Sequence, residues 1–139
     1  MQLVGVDFEL NSIVIENSGP REVVTEELWI YRDGETTRLD IFTIEPRSPV
    51  LFSMRELGDI NHTAGEIALI TAETTDDPET LLAYVAWGAD GFDLAPLATE
   101  AGLWPEGAAV ETDAGTLVLF RTDFTGIGPE AWTASDVTG

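Results

Sequence analysis

The sequence predicts an all-β sandwich of about eight short strands, and three observations carry that reading. Apolar residues recur with a period of two, turn residues punctuate the chain at roughly 8–12-residue spacing, and only one short segment has helical spacing. The 139 residues suit a single domain over 1–139. A chain of that size buries roughly 68–70% of its unfolded surface, enough for a core without covalent staples. No internal repeat or low-complexity segment interrupts it.

Val4, Val6, Phe8 and Leu10 alternate with Gly5, Asp7 and Glu9, the pattern of a strand with one wet face. Asn11-Ser12 separates it from a second strand, Ile13-Val14-Ile15-Glu16, and Asn17-Ser18-Gly19-Pro20 supplies turn chemistry. A third strand centred on Leu28-Trp29-Ile30-Tyr31 runs into Arg32-Asp33-Gly34-Glu35, where Asp-Gly between β-favouring runs signals a hairpin, and Thr37 to Ile44 resumes as strand. Pro46 and Pro49 cannot donate to a ladder, so 45–49 reads as edge or loop, with a strand starting near Val50. Ser53 to His62 reads as a crossover loop. Ile67-Ala68-Leu69-Ile70-Thr71 is nearly continuously apolar, as a sandwich interior requires. The acidic stretch 74–79 is a turn, Leu81 to Trp87 the partner strand, and 88–93 a further turn. Leu97, Ala98 and Ala101 place one short helix near 96–102. Leu117 to Phe120 is the last clear strand, and 122–139 reads as a polar C-terminal tail around Trp132.

Composition removes several function classes. Zero Cys excludes a disulfide framework, a thiolate metal site and a Cys nucleophile. Six Arg and no Lys stand against 26 acids, a net charge of -20. That leaves no basic patch for phosphates, so neither nucleic acid nor an anionic membrane surface is an expected partner. The apolar runs fall far short of the ~20 residues of a membrane helix. A hydrophobic content of 44% is too high for a disordered acidic tail. The N-terminus has neither a basic nor an apolar leader segment, which leaves a cytoplasmic protein and a trimmed exported one both open. Residues 1–55 hold ten acids and five Arg, residues 56–120 thirteen acids and no base, and residues 121–139 three acids and Arg121. Such a surface suits a halophilic setting, where dense acids keep a chain soluble, or an acidic secreted protein.

Four blocks together resemble the prokaryotic lamin-tail domain family. They are Ile13-Val14-Ile15-Glu16-Asn17-Ser18-Gly19 with the strand at Leu28-Trp29-Ile30, the strand entry Ala64-Gly65-Glu66-Ile67-Ala68-Leu69, Tyr84-Val85-Ala86-Trp87-Gly88-Ala89 followed by Ala101-Gly102-Leu103-Trp104, and the closing Gly126-Ile127-Gly128-Pro129-Glu130-Ala131-Trp132. Ala64 departs from the family's preferred Pro, and 90–93 is more acidic than its Gly-rich loop. The resemblance implies an immunoglobulin-like β-sandwich acting as a non-catalytic interaction or structural module of a surface-exposed, extracellular protein, with no shared active site.

His62 is the sole imidazole and sits in a polar loop, where a solvated role is expected. Among 26 acids some pair always meets the ~5–9.5 Å spacing of a glycosidase by chance, so a carboxylate-dependent hydrolase built on Asp90, Asp93 and Glu100 is the rival reading. Calcium tolerates loop geometry, and its candidate ligands are Asp76, Asp77 and Glu79 in one loop and Asp90 and Asp93 in another; neither loop matches an EF-hand. Trp rings fill sandwich cores or, exposed, give stacking platforms for a protein or polysaccharide partner. Trp104, ahead of Pro105, and Trp29, opposite Leu28 and Ile30, are the partner-binding candidates. Self-association through an edge strand is a third expectation.

Overall fold

The fold is taken from a computed structural model. It describes residues 2–9, 11–17, 19–24, 28–32, 34–38, 43–53, 63–71, 77–89, 92–112, 115–122 and 128–135. The strands are β1 (Gln2–Asp7), β2 (Ser12–Glu16), β3 (Val23–Val24), β4 (Trp29–Arg32), β5 (Glu35–Arg38), β6 (Thr43–Ile44), β7 (Pro49–Ser53), β8 (Gly65–Ile70), β9 (Leu81–Trp87), β10 (Val118–Arg121) and β11 (Trp132–Ser135); the helix α1 is Ala95–Glu100. The protein is an all-β sandwich. One sheet has the order β11-β10-β1-β2-β7, the other β5-β4-β8-β9, and β3 pairs with β6 alone. Among the described residues every strand pairing is antiparallel, apart from a single parallel bridge of Trp87 to Val110.

Alternation of period two, reset in β1 by a register shift between Leu3 and Gly5, puts Leu3, Val6, Ile13, Ile15 and Leu119 of the five-stranded sheet into the core. In the four-stranded sheet both faces are covered. All six residues of β8 are buried, which is why this strand has no polar face in the sequence. On one side Trp87 packs on Phe8, with centroids 5.4 Å apart, joining the two sheets. On the other side α1 and the segment after it lie over Tyr84. Trp29, on the face opposite Leu28 and Ile30, shows the same double cover: Leu28 and Ile30 are buried, and half-buried Trp29 packs against the same core.

The hairpin signalled by Asp-Gly joins β4 to β5, with Arg32 opposite Glu35; Asp33 itself lies outside the described residues. The stretch 37–44, expected as one strand, is shared between β5 and β6. Pro49 opens β7, which is an edge as its missing N–H demands. The segment 122–139 is not wholly a polar tail: Trp132–Ser135 pairs with β10 in register, and Ala131 and Trp132 are buried.

Asn17, expected only as a turn residue, is a buried junction. Its Nδ2 donates to the carbonyls of Arg21 at 2.6 Å and Ile44 at 3.0 Å, while its Oδ1 accepts from Gly19 N–H at 3.1 Å. The side chain therefore holds the β3–β6 pair against the end of β2. Asn17→Ala should cost about 2 kcal/mol, because buried carbonyls lose their donors. Urea unfolding of the two proteins measures it, and a loss below about 0.5 kcal/mol would remove the junction role.

Candidate functional site

Where the start of β1, the first half of β9 and the β10–β11 end of the larger sheet come together, they leave a cleft of about 210 Å³. Leu3, Ala83, Tyr84, Trp104 and Trp132 are the buried part of its lining, and Gln2, Leu82, Leu103 and Arg121 the half-buried part. Gly128 completes it and sits against the Pro105 ring: a Cβ there would lie 2.6 Å from the ring Cδ. No Asp or Glu is among these lining residues, in a chain with 26 acids.

Three local features set the aromatic wall. Trp104 Nε1 donates to the Ala108 carbonyl at 2.8 Å, closing the loop after α1 on itself. The Tyr84 and Trp104 rings meet edge to face, 5.5 Å apart at 71°, an arrangement favoured by their opposed ring quadrupoles. Behind them Glu66, only 2% exposed, accepts from Tyr84 Oη–H at 2.9 Å and from Leu94 N–H at 3.1 Å. This carboxylate fixes the Tyr84 hydroxyl and the start of α1 together. Its role is that of a brace, since one side chain of β8 ties a group of β9 to the residue before α1.

The exposure expected of Trp104 is corrected: the ring is 2% exposed, because the loop-closing hydrogen bond and the Tyr84 contact pull it inward. It lines the cleft instead of standing out from the surface. Trp29 is half-buried on β4 and is not among the cleft lining. Of the calcium candidates, Asp77, Glu79 and Asp93 are exposed. Asp77 Oδ1 accepts from Glu79 N–H at 2.9 Å, capping the single turn Pro78–Thr80. Asp76, Asp90 and His62 lie outside the described residues, and among the described residues no three His, Asp or Glu gather as a cation site. Glu100, at the end of α1, is exposed.

Two contributors escape sequence reading. Trp132 is hidden in a segment rich in small polar residues, although Trp132 and Ala134 alternate with Thr133 and Ser135. Arg121 carries a visible signal: it is the only Lys or Arg in residues 56–139, against sixteen acids.

A second surface stands on the outer face of the five-stranded sheet. Leu51 at 57% and Phe120 at 39% are the exposed large apolar side chains of the described residues. The registers align them in one row, Leu51 to Val14 to Gly5 to Phe120. A row of this kind is more informative than scattered exposed leucines.

Comparison with known protein families, with curated proteins and with solved structures finds no match for this chain. What fold and site define together is a class: an all-β sandwich with an aromatic-lined cleft, whose described lining residues include no Asp or Glu, beside a braced helix.

Proposed function

We propose that this domain is a non-catalytic interaction module of a surface-exposed or exported protein, immunoglobulin-like and of lamin-tail type, with its acid shell serving as a solubiliser at high salt. The observation that supports it is the cleft. Its lining residues are mainly aromatic and aliphatic by type while the surface they present is more polar than apolar, a mixture that suits ligand capture, whereas a glycosidase needs two convergent carboxylates. The test is a series of nitrogen–proton correlation spectra during addition of peptide and oligosaccharide panels, with the ligands analysed after prolonged incubation. Shifts at Leu82, Tyr84, Leu103 and the Trp132 indole, with intact ligand recovered, are expected. Cleavage products would transfer the protein to the hydrolase reading, and an unperturbed cleft would refute the module.

The outer row favours a second reading, self-association through the outer face of the five-stranded sheet beside the β7 edge. Sedimentation over a range of concentrations in high salt separates the two, since a strict monomer removes it.

The acid shell also has a sign. Charges spread over a surface of 7268 Å² for the described residues repel one another across a Debye length of ~30 Å at 0.01 M salt and ~3 Å at 1 M. The thermal midpoint should climb smoothly as KCl is raised through that range, and Ca²⁺ at matched ionic strength should add nothing. A saturating rise in Ca²⁺ alone would place an ion in the acidic loops, as binding to the native state alone demands.

A further inference from the structure

We infer that two copies of this chain dock outer face to outer face through the row Phe120, Gly5, Val14 and Leu51, about a two-fold axis that runs along the strands; this rests on the self-association reading and names its geometry. The first argument is charge. Among the described residues the row Thr133, Phe120, Gly5, Val14, Leu51 crosses all five strands without an ionisable side chain, in a chain whose net charge is -20. A basic partner is drawn to the acids elsewhere on such a molecule and gains no ion pair from this row. The surface that suits an uncharged, largely apolar row is another of the same kind, and a second copy presents one.

The second argument is shape. The two exposed large apolar side chains stand at the ends of the row, Leu51 at 57% and Phe120 at 39%, with half-buried Val14 and Gly5, which has no side chain, between them. A Cβ at Gly5 would lie 3.4 Å from Val14 Cγ2, so the valine methyl borders the dip that the glycine leaves. Rotation about an axis between β1 and β2 and parallel to them reverses the order of the row. It sets Leu51 over the second copy's Phe120 and Val14 over the second copy's Gly5. A knob then meets a dip, and each contact is made twice, as an isologous interface requires. The flanking acids stay apart: Asp7, paired with Ser12, comes over the second copy's Ser12, and Glu16, paired with Gln2, over the second copy's Gln2. Five strands ~4.8 Å apart, with about five residues of ~3.4 Å each, give a face of roughly 24 by 17 Å, so two copies cover about 800 Å². That is below the ~1,200–2,000 Å² of a stable complex and defines a weak, reversible dimer.

The experiment uses the whole chain in about 1 M KCl, where a Debye length of ~3 Å screens the repulsion between two acidic copies. Sedimentation from about 10 µM to about 1 mM should show a reversible dimer that weakens as the salt is lowered. Leu51→Glu and Phe120→Glu should each raise the dissociation constant about tenfold or more. Both side chains are exposed, so neither change should lower the thermal midpoint of the dilute monomer. Should Phe120→Glu fail to fold, Leu51→Glu decides alone. The chain has no Cys, so cross-linking can read the axis. Leu51→Cys and Phe120→Cys proteins are mixed in equal amounts with a short bis-maleimide, chosen to span sheets ~10 Å apart, and the products are sorted by intact mass. Products joining position 51 to position 120 should outnumber the two like pairs combined. Prevalence of the like pairs, with the dimer still lost in the glutamate variants, would overturn the two-fold axis and leave self-association through this face standing. A strict monomer, or a dimer indifferent to both glutamate variants, would overturn the inference and the self-association reading together.

Discussion

Gly88→Ala should destabilise the protein by about 3–4 kcal/mol, measured by urea unfolding followed by tryptophan fluorescence. Gly88 has φ of 78°, a conformation that costs an L-residue roughly 1–2 kcal/mol. The new methyl would also be driven into the carbonyl of Thr63 and the Cα of Ala64, backbone that leads directly into β8 and cannot swing aside as a side chain would. Relieving the clash strains the bonds from Gly88 N–H to the Val110 carbonyl, 2.8 Å, and from Val110 N–H to the Ala86 carbonyl, 2.9 Å. Those two bonds dock Val110 in parallel beside Trp87. Gly102→Ala is the control, because Gly102 has φ of 76° and a methyl added there would meet nothing within 4 Å. It should lose only the backbone cost of roughly 1–2 kcal/mol. Equal losses at the two positions would show that the contact with Thr63 contributes nothing.

Glu66→Ala should cost a similar amount, about 3 kcal/mol, and should free the start of α1. The carboxylate is buried among β8, β9 and the residue before the helix, and it accepts from groups 18 and 28 positions away in the chain. Removing it withdraws the acceptor from the Tyr84 hydroxyl and the Leu94 amide and leaves a cavity of most of a side chain. Glu66→Gln keeps the volume and one carbonyl oxygen to accept, so it should lose only about 1–2 kcal/mol, the cost of burying an amide donor where an acceptor stood. Hydrogen exchange at Ala98 and Ala101, whose amides bond to Leu94 and Leu97, reads the helix directly. In a double-mutant cycle with Tyr84→Phe, a coupling of about 1 kcal/mol or more is expected from a direct bond. A coupling near zero, with unchanged exchange in α1, would dismiss the brace.

These two positions also show how unevenly the fold can be read from the chain. Gly88 stands at a turn that the sequence marks openly, and the Asp-Gly turn, the Pro at the edge and the apolar run of β8 are equally legible. Each depends on the chemistry of a few adjacent residues: a ring without an N–H, a residue without a Cβ, an alternation of period two. The helix is legible too, as α1 falls within one residue of its expected start. In the sequence Glu66 is only the residue preceding an apolar run. Nothing local distinguishes a buried glutamate from a solvated one, because the groups that justify its burial arrive from distant parts of the chain.

The candidate site follows the same division. Pro105 and a loop surround Trp104, which locally argues for exposure, and the small polar neighbours of Trp132 locally argue for a tail. Both rings are drawn inward by contacts across long separations: the ring of Tyr84 in one case, the ladder of β10 in the other. Arg121 is conspicuous as the one Lys or Arg of residues 56–139, but its place in a lining that includes two indoles depends on how β1, β9, β10 and β11 converge. By itself the sequence determined the all-β class, the main turns, the absence of Cys chemistry and the acidic surface, all of them properties of composition or short-range periodicity. Which aromatic rings are buried, which carboxylate braces the helix and where Arg121 meets a cleft were decided only by tertiary structure, because burial is a sum over neighbours that the chain brings together from far apart.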